Sequence, residues 1–175
     1  MRKARATALC GVTAALSFVL LLGTTAFPVL LYVLPIVTGF LVQIVSDAAG
    51  KGSAVSVYAV TSVLSLLLLT EKEAALAYAL FFGYYPLLRD LLHRLPRFVR
   101  VLLKVLLFNA AAVATEVLAA FVFGIPWEND YGRYTALILL ALGNAVFWAY
   151  DYILGRYRPV SRRFAKTLAK RFRLS

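Results

Sequence analysis

The residues of this chain best suited to chemistry are polar side chains inside long apolar stretches. Glu116 is the clearest case, because it lies about eight residues before the end of an apolar segment near Gly124, a depth of about 12 Å at 1.5 Å per residue. Asn109 precedes Glu116 by seven residues, which places both on one face of a helix. A carboxylate at that depth must be paired or face a cavity. Glu116 and Asn109 are therefore predicted to line an interior, solute-binding stripe.

Two other apolar segments, one after Glu116 in the chain and one before it, carry similar polar side chains. Asn144 shares a helix face with Trp148 and Asp151, at spacings of four and three residues. Tyr78 and Tyr85 are seven residues apart in another apolar segment. Asn144 and Tyr78 are accordingly predicted to contribute to the same solute pocket as Glu116.

A purely structural interpretation of these residues stays open. Asn109 and Asn144 would then hydrogen-bond neighbouring helices, and the tyrosines would fill the bundle. Asp151 would pair with Arg156 or Arg158, which follow it closely in the chain.

Sequence motifs for enzymes are missing from the chain. There is no phosphate-binding glycine loop, no paired-histidine metal motif and no nucleophile elbow. The single cysteine, Cys10, excludes an internal disulfide. The sequence therefore predicts no enzymatic activity, no cofactor and no metal; a membrane-embedded enzyme acting on lipids is the least favoured alternative.

Composition points to a helical protein that lives in lipid. Of the 175 residues, 62% are apolar and only 15% are charged, and the mean hydropathy is +0.82. A spanning helix needs about 20 mostly apolar residues. We predict an all-α, polytopic six-helix transmembrane bundle, with spans at 6–26, 29–48, 53–70, 73–92, 98–124 and 132–155. Pro86 is predicted to kink the fourth of these.

The distribution of positive charge predicts the orientation. With six spans, 17 of the 19 Lys and Arg residues fall on one side and 2 on the other. Cytoplasmic loops retain positive charge, so the N- and C-termini are predicted to be cytoplasmic and the protein to lie in the plasma membrane. The same clustering favours membrane orientation over nucleic-acid binding. A cleaved signal peptide is the alternative for the first segment.

The chain is predicted to have one transmembrane domain, 1–155, followed by a basic cytoplasmic tail, 156–175. Phe164, Leu168 and Phe172 recur at four-residue spacing among eight cations in this tail. That pattern is typical of an amphipathic helix on an anionic lipid surface.

Small residues form two stripes along the first helix. Ala4 and Ala8, followed one turn later by Gly11 and Ala15, make the first, and Ala6, Cys10 and Ala14 make the second; both permit close helix approach. Packing within the bundle is the simpler use of such a stripe, and docking of another subunit is the alternative.

These features together resemble the substrate-binding S components of energy-coupling-factor (ECF) vitamin transporters. The resemblance lies in about 175 residues, six helices, cytoplasmic termini and a first helix with Ala4-x-x-x-Ala8 and Gly11-x-x-x-Ala15. In that family a first-helix element of this kind docks on the coupling subunit, and the outward-facing pocket draws on the last three helices and outer loops. The resemblance thus implies partner binding through Ala4, Ala8, Gly11 and Ala15, and adds Trp127 to the predicted pocket.

Two functions follow as expectations. The first is uptake of a small vitamin-like metabolite together with a coupling subunit and ATPases, with the ligand itself left open by the sequence. The second is a non-transporting scaffold of the cell envelope, similar to the rod-shape protein MreD, which docks other membrane proteins and holds anionic lipid.

Overall fold

The structure is a computed structural model that describes residues 2–124 and 134–171. Within these ranges the chain is all-helical. The α-helices are α1 (Arg2–Ala26), α2 (Val33–Ala49), α3 (Lys51–Leu68), α4 (Lys72–Ala77), α5 (Tyr85–Leu92), α6 (Arg97–Phe123), α7 (Thr135–Arg156) and α8 (Arg158–Arg171). A 3-10 turn (Pro28–Leu30) precedes α2, and a π-helical turn (Tyr78–Phe82) follows α4.

Four of the six predicted spans coincide with helices that are long and apolar enough to cross a membrane. These lie at Ala4–Ala26, Lys51–Leu68, Arg97–Phe123 and Leu137–Arg156. The segment predicted at 29–48 is a shorter apolar helix, α2, of 17 residues. The chain is thus a helical membrane protein with four helices of full spanning length among the described residues.

The segment predicted as one kinked helix over 73–92 is distorted before Pro86, as predicted, and divides into α4, the π-helical turn and α5. Pro86 stands in the first turn of α5. Proline lacks the backbone N–H, and its ring clashes with the carbonyl four residues earlier, so α4 cannot continue through it. The backbone widens instead into a π-helical turn, in which the Gly83 N–H donates to the Tyr78 carbonyl over 2.8 Å.

Two hydrophobic clusters hold the bundle together. The first lies among α1, α2, α3 and α4 and is built around Leu21, Val42, Val57 and Tyr78. The second lies among the π-helical turn, α5, α6 and α7, and is mainly aromatic: Phe81, Phe82, Tyr85, Phe108, Phe147 and Tyr150. The broken segment contributes to both clusters, so it is central to the fold rather than peripheral.

The basic tail forms α8, which packs against α2. Ala165 is buried on the side that faces the bundle. The Ser161 hydroxyl donates to the Asp47 carboxylate over 2.8 Å, and Arg158 donates to Asp90 over 2.6 Å. Phe164 is more than half exposed, as a lipid-facing residue would be.

Candidate functional site

The helix break at Pro86 is sealed by a tyrosine from α7. Phe82 is four residues before Pro86, so its carbonyl lacks the usual helical donor. The Tyr150 hydroxyl donates to that carbonyl over 3.3 Å. A Cβ at Gly39 would contact both the Tyr150 hydroxyl and the Phe82 carbonyl too closely. Position 39 of α2 therefore requires glycine for this junction to close.

A second tyrosine seals the π-helical turn from the other side. The Tyr58 hydroxyl of α3 donates to the Ala79 carbonyl over 2.7 Å. The Tyr58 ring also lies against Gly83, where an added Cβ would come within 2.6 Å of a ring carbon. Both carbonyls accept hydrogen bonds from tyrosine hydroxyls of neighbouring helices, so the break is closed by protein.

A buried group of charged residues joins α5, α6 and α7. Asp151 of α7 is its centre. Arg89 donates from Nε to one Asp151 carboxylate oxygen over 2.7 Å, and Lys104 donates to the other oxygen over 2.7 Å. Tyr85 donates from its hydroxyl to the first oxygen, also over 2.7 Å. Arg89 Nη2 makes a further bond of 3.3 Å to the Asp151 carbonyl. We call these four residues the Asp151 cluster.

The Asp151 cluster is deeply buried and carries more positive than negative charge. The Arg89, Lys104 and Asp151 side chains are 10%, 4% and 11% exposed. Two cations share one carboxylate, so one positive charge has no counter-ion within the cluster. Charges in an apolar bundle are costly unless they are paired, which makes this arrangement a marker of function.

Aromatic rings fix the position of the Tyr85 donor. Phe81 stacks on Tyr85 with ring centroids 4.8 Å apart. Phe147 meets Tyr85 edge-on at 5.5 Å and stacks on Phe108 at 5.0 Å. These rings hold the hydroxyl against the carboxylate and keep the cluster dry on that side.

The predicted pairing of Asp151 with Arg156 or Arg158 is wrong. Asp151 pairs with Arg89 and Lys104, and Arg158 pairs with Asp90 of α5. In the charge count of the sequence, Arg89 and Lys104 are among the 17 cations of one side. One local signal pointed to a different role for Lys104, since it is a lone charge within the apolar run of residues 101–108.

The structure brings two of the predicted pocket residues together. Asn109 Nδ2 donates to Asn144 Oδ1 over 3.2 Å, and Asn144 Nδ2 donates to Asn109 Oδ1 over 2.9 Å. Each amide also donates to the carbonyl four residues earlier in its own helix, Val105 for Asn109 and Leu140 for Asn144. This geometry is a reciprocal clamp between α6 and α7, as the structural interpretation predicted.

The other predicted pocket residues lie elsewhere. Tyr78 is fully buried in the first hydrophobic cluster, with its ring centroid 6.2 Å from that of Tyr58. Glu116 is on an exposed part of α6, so it does not line an interior stripe with Asn109. Trp127 lies outside the described residues.

The two small-residue stripes of α1 face opposite ways. In the second stripe Ala14 is buried, and Cys10 lies 3.6 Å from the Ser53 carbonyl of α3. The first stripe, formed by Ala4, Ala8, Gly11 and Ala15, is exposed throughout. A Cβ at Gly11 would meet no atom within 4 Å. The first stripe is therefore open to contact from outside the chain.

A surface groove adjoins the Asp151 cluster. It encloses about 450 Å³ and is lined by Arg89, Trp148, Asp151, Tyr152, Gly155 and Arg156. A second groove of about 400 Å³ lies between α7 and α8 and shares Gly155 with the first; its remaining lining residues are Arg158, Pro159, Arg162, Arg163 and Lys166. The second groove is strongly basic, and the charged residues of the first are two arginines and one aspartate.

His93, just after α5, lies in the field of these cations. Its Nδ1 is 3.5 Å from Arg100 Nη1. Partial burial, followed by the positive charges of Arg89 and Lys104, lowers the pKa of His93 below its usual value. His93 is therefore neutral at physiological pH and adds no charge to this end of the bundle.

Comparison with protein-family models, curated proteins and solved structures finds no match to this chain. In residues 2–124 and 134–171, no three His, Cys, Asp or Glu side chains group as metal ligands would. The chemistry that this geometry supports is the binding of polar or charged groups and the joining of helices.

Proposed function

We propose that this chain is a membrane-embedded subunit for uptake of a small solute, working with a coupling subunit and ATPases. The observation that carries the proposal is the exposed small-residue stripe of α1. Transmembrane helices associate where small residues let their backbones approach closely. Ala4, Ala8, Gly11 and Ala15 offer such a surface to another helix, while the opposite stripe is already used inside the bundle.

The proposal includes six membrane crossings with cytoplasmic termini. α2 and the broken segment of α4, the π-helical turn and α5 supply the two crossings beyond the four long helices. Single-cysteine labelling in a Cys10→Ala background tests this. A membrane-impermeant maleimide should label Thr70→Cys in intact cells and Lys51→Cys only after permeabilisation. Labelling of Lys51→Cys in intact cells contradicts the six-span topology.

The solute is proposed to enter between α6 and α7 from the outer side. A solute with amide or hydroxyl groups would replace the reciprocal hydrogen bonds of Asn109 and Asn144, so the clamp opens without leaving unpaired polar groups. Glu116 lies seven residues beyond Asn109 toward the outer end of α6. A metabolite that is cationic or rich in hydrogen-bonding groups fits these residues best.

Docking through α1 is tested by two matched substitutions. Ala15→Leu places a large side chain on the exposed stripe, and Ala110→Leu makes the same change at an exposed position of α6. The tagged protein is purified in mild detergent from its native host, and co-eluting ATPase activity is measured. Ala15→Leu should abolish this activity and Ala110→Leu should retain it. Equal effects of the two substitutions would show that the stripe is not the docking surface.

The scaffold of the cell envelope is the second candidate. It is favoured by the clamp, because Asn109 and Asn144 satisfy one another and neither basic groove includes them. A scaffold needs no solute pocket. In the same purification it would co-elute with envelope-synthesis enzymes and without ATPase activity.

A further inference from the structure

The basic groove beside the Asp151 cluster has the composition of an anion site. Two of its lining residues, Arg89 and Arg156, are cations, and Asp151 is already neutralised by its partners. The groove extends through Gly155 into the second basic groove. An anion in either groove would lie among arginine side chains.

The charge balance of the Asp151 cluster calls for such an anion. Arg89 and Lys104 together carry two positive charges and Asp151 carries one negative charge, which leaves one buried positive charge uncompensated. The Lys104 side chain is 4% exposed and is closed off from solvent, whereas Arg89 and Asp151 border the groove. An anion in the groove supplies the missing counter-charge at the point where the cluster meets the surface.

Arg89 is placed to bind this anion. Its bonds to Asp151 use Nε and Nη2, so Nη1 takes part in neither. Gly155 allows the guanidinium to lie against the backbone of α7, since a Cβ there would come within 2.7 Å of Nη2. A planar guanidinium held in this way can donate to phosphate oxygens with little loss of side-chain entropy.

The surroundings of the groove match the boundary between lipid and water. Trp148 is 40% exposed and Tyr152 is 69% exposed, and such aromatic residues are typical of the membrane interface. Arg156 is in the last turn of α7. The C-terminus of a helix carries a partial negative charge of about half an elementary charge. The two positive charges of Arg89 and Arg156 exceed it, so the groove still favours an anion.

We propose that this groove binds a phosphate-bearing anion, held by Arg89 and Arg156 and presented at the depth of a phospholipid headgroup. The proposal does not depend on solute uptake or on the docking of α1. In this proposal the excess positive charge of the Asp151 cluster serves to bind the anion.

The test uses the fluorescence of Trp148, which lines the groove. In a Trp127→Phe background Trp148 is the one tryptophan. Purified protein in neutral detergent is titrated at fixed ionic strength with dioctanoyl phosphatidylglycerol, dioctanoyl phosphatidylcholine and inorganic phosphate. The variants are Arg156→Gln, which removes a lining cation that is exposed, and Arg94→Gln, a matched charge change outside the groove.

Phosphatidylglycerol should bind about tenfold more tightly than phosphatidylcholine, a difference of about 1.4 kcal/mol. Arg156→Gln should weaken phosphatidylglycerol binding about tenfold, and Arg94→Gln by less than about twofold. Gly155→Ala, which displaces Arg89 without a change of charge, should weaken binding as well. Thermal unfolding of each variant establishes that the fold is retained.

Titration with inorganic phosphate distinguishes a soluble phosphate compound from a lipid headgroup as the source of the anion. A saturable response to phosphate that Arg156→Gln abolishes supports the site and identifies a soluble phosphate compound as its ligand. A response to phosphatidylglycerol without one to phosphate supports the site and identifies the lipid headgroup. Equal binding of both lipids with no phosphate response overturns the proposal, and so does equal weakening by Arg94→Gln and Arg156→Gln.

Discussion

Replacement of Asp151 by asparagine leaves two cations buried without a counter-ion. Asparagine has nearly the same shape as aspartate and can still accept hydrogen bonds from Tyr85 or Arg89, so the change removes charge and little else. Lys104 and Arg89 then face each other in a part of the bundle where their side chains are 4% and 10% exposed. The substitution therefore isolates the electrostatic contribution of the carboxylate.

The expected loss is large for one substitution. Breaking a buried ion pair by removing one partner costs about 3–5 kcal/mol. For chains of about 150–250 residues, 1 kcal/mol corresponds to a shift in Tm of about 2–4 °C. Asp151→Asn should therefore lower the Tm by about 6–20 °C. Tyr85→Phe removes one hydrogen bond to the carboxylate and leaves both ion pairs, so it should cost less, about 1.5–3 kcal/mol.

The assay is thermal unfolding in one detergent at one salt concentration, followed by circular dichroism. Asp90→Asn is the matched control, because the Asp90–Arg158 pair is about one quarter exposed. Such a pair contributes about 0–1 kcal/mol. If Asp151→Asn lowers the Tm no more than Asp90→Asn, the Asp151 carboxylate does not stabilise a buried charge centre.

A triple replacement distinguishes the cost of unpaired buried charge from the net contribution of the whole Asp151 cluster to stability. Arg89→Met, Lys104→Met and Asp151→Leu together remove all three charges while nearly filling the space. Replacing a buried ionic group by apolar residues is often neutral or stabilising. The triple variant should be more stable than Asp151→Asn, and by the groove proposal it should no longer distinguish phosphatidylglycerol from phosphatidylcholine.

Three further predictions concern single sites. In a double-mutant cycle, Asn109→Ala and Asn144→Ala should show a coupling of about 0.6 kcal/mol, measured by unfolding; additive effects would mean that the clamp contributes nothing. Gly39→Ala should destabilise the protein by about 1–3 kcal/mol, because its methyl group would overlap the hydroxyl and the carbonyl that seal the helix break, whereas Gly52→Ala, in open space, should not destabilise it. His93 should titrate below its usual value of about 6.5 when followed by NMR. As the pH drops through 6.5, His93 is therefore protonated more readily in the unfolded chain than in the folded protein, and the free energy of unfolding should fall. The His93→Gln variant should lack this part of the pH dependence.

Several features of the fold could be predicted because they depend on neighbours in the chain. Long apolar runs predicted the helices α1, α3, α6 and α7, since a run of this length has few alternatives in lipid. Pro86 predicted a distortion, and the extent of the break depended on whether Tyr58 and Tyr150 could satisfy the freed carbonyls. That depends on residues more than 20 and more than 60 positions away, so no local pattern reports it.

The candidate site was predicted less well for the same reason. Asn109 and Asn144 were singled out correctly as polar residues in apolar helices, but their reciprocal pairing depends on how α6 and α7 are rotated against each other. The structural interpretation of the sequence pairs Asp151 with nearby cations, whereas its partners are 62 and 47 residues away. A carboxylate in a bundle pairs with whatever cation the helix packing brings to it.

The sequence by itself determined that this chain is helical and has helices long and apolar enough for a membrane, because hydropathy along the chain is sufficient for these properties. The tertiary structure alone decided which stripe of α1 faces outward and which cations surround Asp151. Both stripes are equally small, and Arg89 is one of many cations in the sequence. Only the packing of α1 against α3, and of α5 and α6 against α7, distinguishes them, since burial and charge pairing are properties of the assembled bundle.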